Sequence, residues 1–292
     1  TEFGIEFVAG IAKGTGVLGY LPATQPGGRT VALRADMDAL PILEQTGKSY
    51  SSANEGVMHA CGHDGHTSVL VGTAQALSQT PGRPNNVLFI FQPAEEGGAG
   101  GRAMCEDGVL NGKLLGTPAD TIFGLHCNPQ LRVGMLESRT GAMMAAADEF
   151  EIMIHGEGGH AAMPHLTVDP VMIGGHVITA LQSIASRNIS PLDSLVVTVT
   201  RLDAGTATNI IPGQARLIGT IRTLQEETRL FAHRRIEQIA QGVAVALGGT
   251  ATVTIKTGYP VTRNDEAAYT QWRSIMTEAL GADQVGVCEP TM

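Results

Sequence analysis

Positive charge is scarce in this 292-residue sequence: 19 lysines and arginines face 28 aspartates and glutamates, for a formal net charge of −9. That balance argues against nucleic acid or an anionic membrane as partner, and it makes any arginine beside a candidate site informative. Long apolar runs are also missing, none approaching the roughly 20 residues that span a bilayer. The first residues show no basic stretch followed by an apolar one, so the expected location is cytoplasmic. Cysteines number only four, Cys61, Cys105, Cys127 and Cys288, at no paired spacing, which argues against a disulfide framework in a chain of this size. Cys105, Cys127 and Cys288 read as structural. No histidine follows His233. The chain starts at Thr1 and stops at Met292 without a finished helix or strand pattern, so sequence is expected to be missing at both ends.

What is present is enough apolar material, 43% of residues, to bury two cores, and the length makes two domains the expectation. In the first half, residues 30–36, 86–91 and 121–126 are short apolar runs bounded by turn residues, the pattern of buried strands. Between the first two, residues 64–79 carry His66, Leu70 and Leu77 at helical spacing. Strands alternating with helices predict a parallel α/β sheet, whose ligands gather at the carboxyl ends of the strands.

The second half has a different order. Residues 149–155 alternate like a half-buried strand. Asp169-Pro170 supplies an N-cap and a first-turn proline for a helix with Ile173, Val177, Leu181 and Ile184 on one face. Residues 194–202 and 214–222 read as strands. Thr223-Leu224-Gln225-Glu226 reads as a capping box for a long helix toward Leu247, and residues 251–256 as a last strand. The order β-α-β-β-α-β predicts a ferredoxin-like unit over residues 147–256. It is inserted into a first domain made of residues 1–146 and 257–292, which a helix over residues 265–280 would resume.

Chemistry concentrates where the first-half strands end. His59-Ala60-Cys61-Gly62-His63-Asp64-Gly65-His66 packs three imidazoles, a thiol and a carboxyl ahead of a helix whose N-terminus favours an anion. Cys61 there is a metal ligand, a reactive thiol or a small buried side chain. Strand ends add Asp36 and Asp38, the adjacent pair Glu95-Glu96 after Pro93, and His126. Taken singly, each has a plainer reading, as turn former, solvated acid or edge histidine. Several independent ends all offering metal-type ligands point together to a metal centre. In the second half, His160 in a glycine-rich loop, Asn209 in a turn and Arg222 at a strand end are weaker candidates. Solvated or surface-paired roles compete for them.

Five segments in order, Arg34-Ala35-Asp36-Met37-Asp38, Met58 through His66, Gln92-Pro93-Ala94-Glu95-Glu96, Gly124-Leu125-His126 and Gly159 through His165, closely resemble the amidohydrolase branch of the co-catalytic two-metal peptidases. That branch includes aminoacylases, hippurate hydrolases, auxin-conjugate amidohydrolases and related carboxypeptidases. The resemblance implies a zinc-peptidase-type α/β catalytic domain with a mostly parallel sheet, interrupted by a ferredoxin-like lid through which two copies dimerise. It implies Cys61, His63, Glu96 and His126 as ligands of two divalent transition-metal ions, zinc foremost, with manganese, cobalt or nickel as alternatives. Glu95 becomes the general base. Asp36 would orient a ligand from behind, and His160 would stabilise the oxyanion from a partner's lid. Asn209 and Arg222 would hold the free carboxylate of a small N-acyl amino acid. His59 and His66 take supporting roles, His66 on the packed face of its helix.

Two departures follow. Arg34 stands where the dipeptide-cleaving branch has a histidine, and the pattern's late histidine ligand has no counterpart after His233. The alternatives to a metal-dependent amidohydrolase are an inactive, truncated dimeric binding protein and a cysteine hydrolase using Cys61. The glutamate pair favours the first reading, because a cysteine nucleophile has no use for it.

Overall fold

A computed structural model describes residues 2–292, which form two compact units divided between Arg132 and Val133. The first unit runs β1 (Glu6–Ile11), β2 (Gly16–Leu21), β3 (Thr30–Asp36), α1 (His63–Gln79), β4 (Asn86–Gln92), α2 (Gly100–Asp107) and β5 (Thr121–Gly124). Its five-stranded sheet has the order β1-β2-β4-β3-β5. The three strands expected from the sequence, β3, β4 and β5, pair in parallel, and the β1–β2 hairpin extends the sheet with antiparallel neighbours.

β4 is apolar on both faces because both are covered. Leu88 and Ile90 pack with Ala32, Leu18, Met104 and Val109 on one side. Val87 and Phe89 pack with Ala35, Leu70 and Ala74 of α1 on the other. Burial on both sides fixes the register of β3 against β4, which sets Asp36 opposite Gln92 at the carboxyl edge.

The second unit contains β6 (Leu136–Ser138), β7 (Gly141–Met144), β8 (Ala146–His155), β9 (Gly159–His160), α3 (Pro170–Ser183), β10 (Leu195–Ala204), β11 (Ile210–Ile211), β12 (Gln214–Thr223), α4 (Glu226–Ala246), β13 (Thr250–Tyr259), β14 (Thr262–Asn264), α5 (Glu266–Leu280) and β15 (Val285–Val287). Four long strands make an antiparallel sheet, β10-β12-β8-β13, with α3 and α4 packed on one face, the ferredoxin-like topology expected from the element order. Ile152, Ile154, Leu217 and Ile221 from the strands meet Ile173, Val177, Leu181, Ile236 and Ala240 from the helices, all at 0–1% exposure. Their burial supplies most of this unit's apolar stabilisation, at about 1.5–3 kcal/mol per large side chain. The segment after β13 pairs elsewhere: β14 with β7, and β15 in parallel with β6.

Asp169 caps α3 as expected, accepting from the backbone N–H groups of Val171 and Met172. The capping box at α4 does not form. Thr223 is held in the ladder opposite Leu195 and Ala146, its Oγ1 is buried without a partner, and Gln225 becomes the N-cap with no side-chain bond to the helix. Glu226 and Glu227 in the first turn complement the helix dipole instead.

A buried ionic knot ties this unit together. Asp148, 2% exposed, accepts from Arg229 Nε at 2.8 Å and Nη2 at 2.5 Å, from the Gly258 N–H at 2.8 Å, and pairs with His233 Nε2 at 2.7 Å. Burial alone would raise its carboxyl, but Arg229, Gly258 and His233 outweigh that and hold it below the usual carboxylate range. Among the described residues, no helix is long and apolar enough to cross a membrane.

Candidate metal centre

Three parallel strand ends and one helix start build the site within the first unit. β3 delivers Asp36; the chain beyond β4 delivers Glu95 and Glu96; two residues past β5 comes His126; and Cys61 and His63 straddle the start of α1. The turns that permit this are strained or glycine-dependent. Gly62 has φ 82°, and a Cβ there would lie 2.4 Å from Cys127 Sγ, so only glycine fits. Ala94, φ 52°, holds a left-handed conformation just before Glu95, a strain kept where the surroundings impose it.

Ligand-type atoms converge here. Cys61 Sγ lies 3.3 Å from His126 Nε2, and His63 Nε2 lies 3.9 Å from Glu96 Oε1. One ligand atom each from Cys61, His63 and Glu96 falls within 4.8 Å of the others, and the same holds for Asp36, His63, His66 and His126.

Hydrogen bonds decide which nitrogens are available. His63 Nδ1 donates to the Asp38 carbonyl at 2.9 Å, which places the proton on Nδ1 and leaves a lone pair on Nε2. That Nε2 is fully buried and has no hydrogen-bond partner. His126 Nδ1 donates to the Cys127 carbonyl at 2.7 Å, so its Nε2 lone pair likewise faces Cys61. His66 differs. Its Nδ1 binds Asp36 Oδ1 at 2.6 Å and its Nε2 accepts the Cys127 N–H at 2.8 Å, so neither nitrogen is left for a cation. An orphaned buried lone pair beside a carboxylate and a thiol that is itself bonded to a second imidazole's Nε2 is a donor set that fits a transition-metal cation.

Burial and the clustered carboxylates set the electrostatics of the site. Burial, then the Glu96 carboxylate and the charges of Glu95 and Asp36, push the Cys61 thiol up to about 11. Burial, then Glu96, also raise the Glu95 carboxyl above its usual range, with Arg34 opposing. Asp36 goes the other way: burial would raise it, but the His66 hydrogen bond and the charge of Arg34 outweigh that and hold it low. Arg34 is fixed by Nη1 on Asp36 Oδ2 at 2.6 Å and by Nε on Gln92 Oε1 at 2.9 Å.

The structure thus gathers Asp36, Cys61, His63, Glu95, Glu96 and His126. Asp36 makes its short bond to His66 and stands 3.6 Å from His63 Nε2. His66 is on the buried face of α1 as expected, but it bridges Asp36 to the backbone beside His126, more than a packing role. Its spacing of three residues from His63 on one helix was the available signal. Asp38, which holds His63, was legible only as a turn former.

In the second unit, β9 pairs with β11, His160 opposite Ile210, and the Asn209 carbonyl accepts the Ala161 N–H at 3.0 Å, so His160 and Asn209 are neighbours. His160 is exposed; its Nδ1 accepts the Ala162 N–H at 3.1 Å, which leaves Nε2–H as an outward donor. Arg222 is not brought to them. It lies eight residues along β12 from Gln214, roughly 27 Å at strand rise. Its guanidinium bonds Thr220 Oγ1 and the Ile221 carbonyl.

Comparison with known proteins adds a context to this geometry. The profile of peptidase family M20/M25/M40 matches residues 32–292. An N-acetylcysteine deacetylase of Bacillus subtilis (strain 168) is 44% identical over 252 residues, covering 86% of this chain and 64% of the relative. An N-acetyldiaminopimelate deacetylase of Streptococcus pneumoniae serotype 19F (strain G54) is 40% identical over 291 residues, 99% of this chain and 75% of the relative. The chain therefore spans about two thirds to three quarters of these relatives' lengths. A crystal structure of a Bacillus subtilis dinuclear metal-binding M20 peptidase superposes with a TM-score of 0.83 at 36% identity, covering 100% of this chain and 73% of that one.

Proposed function

Because the chain belongs to peptidase family M20/M25/M40, we propose that it hydrolyses the amide bond of small N-acyl amino acids by a metal-dependent route. The observation that carries this reading is the buried, partnerless Nε2 of His63 set among Cys61, Glu96 and His126. These four residues would hold divalent ions. Bound there, such ions lower the pKa of a shared water toward neutrality and polarise the scissile carbonyl. A thiolate in the set favours later transition metals such as zinc, cobalt or nickel over magnesium or calcium, with zinc first, while the Glu96 carboxylate is the donor that would suit manganese.

The chain's own step is proton transfer. Glu95, half-buried and with its carboxyl raised, takes the proton of the attacking water as the new C–O bond forms at the amide carbon. It then gives that proton to the departing amine nitrogen as the C–N bond breaks, releasing a carboxylic acid and a free amino acid. Asp36 orients His126 indirectly, through His66 and the Cys127 peptide. His160, with Nε2–H facing outward, would meet the developing oxyanion from a second copy of the chain. Asn209 beside it and Arg222, which lies apart from it along β12, would hold the substrate carboxylate. The substrate names of the deacetylase relatives, both N-acetylated amino acids, support that class.

We assign residues 1–146 and 257–292 to the catalytic body and residues 147–256 to a dimerising lid. Support comes from β14 and β15 pairing with β7 and β6 instead of joining the four-stranded sheet, whose two outer strands are β10 and β13, although all of these strands lie in the second compact unit. The cysteine-hydrolase reading has the Cys61–His126 contact in its favour. A thiol pushed up to about 11 and bonded to Glu96 is the reverse of an activated nucleophile. A panel of N-acetyl, N-acyl and N-benzoyl amino acids, assayed with metal for release of free amino acid, tests the proposal. No turnover of any of them would favour the inactive binding protein.

A further inference from the structure

Two buried polar atoms without partners lie near the same imidazole. His63 Nε2 faces the candidate metal centre; on the other side, Asp38 Oδ1 lies 3.5 Å from His63 Nδ1 with no hydrogen bond. The Asp38 main-chain carbonyl takes the Nδ1 proton at 2.9 Å. The other carboxylate oxygen, Oδ2, accepts the Glu96 N–H at 2.9 Å, and the Glu95 N–H also bonds this carboxylate. Just beyond, Leu40 and Met58 exchange both backbone hydrogen bonds, at 2.9 and 3.0 Å, and lock this segment against the one that leads to Cys61.

We infer that Asp38 is a positioning residue for the site, fixing His63 through its carbonyl and Oδ1 while Oδ2 clamps the turn that carries Glu95 and Glu96. The inference rests on the metal-centre reading above. Three separate parts of the chain, the end of β3, the start of α1 and the turn after β4, meet at this one residue. The turn needs a clamp, because Ala94 holds φ 52° and two successive N–H groups would otherwise lack this acceptor. The unpaired Oδ1 has a use if His63 Nε2 gives its lone pair to a cation: coordination would polarise the Nδ1–H, and a carboxylate oxygen beside it would strengthen the ligand. Each orphan thereby accounts for the other.

The test is a Co2+ titration of metal-depleted wild type, Asp38→Asn and Asp38→Ala, followed by the visible bands of cobalt and the thiolate-to-cobalt absorption, with kcat and KM measured on an N-acetyl amino acid. The expected result is Co2+ affinity about 10- to 100-fold weaker in Asp38→Ala, a shifted cobalt spectrum, and a fall in kcat with KM little changed. Asp38→Asn, which keeps a neutral acceptor for the turn, should recover part of the loss. Wild-type spectra and kcat in both variants, beside a wild type that binds Co2+ through a thiolate, overturn this inference alone. A wild type without any thiolate-to-cobalt band overturns it together with the metal centre. If Asp38→Ala does not fold, Asp38→Asn decides by the same two readouts. A loss of thermal stability with unchanged Co2+ affinity also counts against positioning.

Discussion

Cys61 Sγ and His126 Nε2 stand 3.3 Å apart although 65 residues separate them. The contact exists because β5 lies beside β3 in parallel and ends where α1 begins, so the contents of two loops are pressed together. A thiol and an imidazole this close are either a catalytic pair or two ligands of one ion, and their surroundings distinguish the cases.

Iodoacetamide applied to metal-stripped protein separates them. Burial and the neighbouring carboxylates raise the Cys61 thiol from 9.0 to about 11, which stabilises the protonated form. Alkylation of Cys61, followed by peptide mass spectrometry, should therefore keep rising with pH through 9 toward about 11. A plateau below pH 9 would indicate an activated thiolate.

Glu95→Gln keeps size and burial but removes the base. The expected loss in kcat is about 10²- to 10⁴-fold, with metal content by elemental analysis unchanged. Equal loss of metal and activity would make Glu95 a ligand instead.

His66→Ala cuts the link from Asp36 to the Cys127 peptide and so to His126. Metal affinity or activity should fall about 10- to 100-fold. Calorimetry should also register a cost of about 1–3 kcal/mol, because a buried Asp36 oxygen loses its partner. Unaltered metal affinity would confine His66 to packing.

Asp148 sets the acid stability of the second unit. Its carboxyl is held below the unfolded value of about 3.9, so its contribution is fully present above that pH. It is lost as pH falls through the lower, folded value. Asp148→Ala should destabilise the protein by up to about 3–5 kcal/mol at neutral pH, because buried Arg229 loses its bidentate partner and keeps only the exposed Glu226 as counter-charge. It should also flatten the dependence of unfolding free energy on pH below about 4. An acid limb as steep as wild type's would show that other carboxylates govern it.

The large elements were legible because burial patterns are local: β3, β4, α3 and the four long strands of the second unit follow from period and punctuation. The convergence of Cys61, Glu96 and His126 was legible too, since parallel strands present their carboxyl ends together. Three features were not. Thr223-Leu224-Gln225-Glu226 has the spacing of a capping box, yet the strand ladder claims Thr223 first. Asp38 looks like any turn aspartate until β3, α1 and the Glu95 turn are packed against it. The partnering of His66 depends on the Cys127 backbone, 61 residues away, and no local pattern encodes that.

In the proposed mechanism Cys61, His63, Glu96 and His126 hold the metal required for amide hydrolysis. The most direct test is exhaustive chelation of the purified protein, with bound metal quantified and N-acyl amino acid hydrolysis assayed before chelation, after it, and after zinc, manganese or cobalt is returned. Activity should fall in proportion to metal lost and return with it. Hydrolysis that persists at wild-type rate with metal far below one ion per chain would contradict this mechanism.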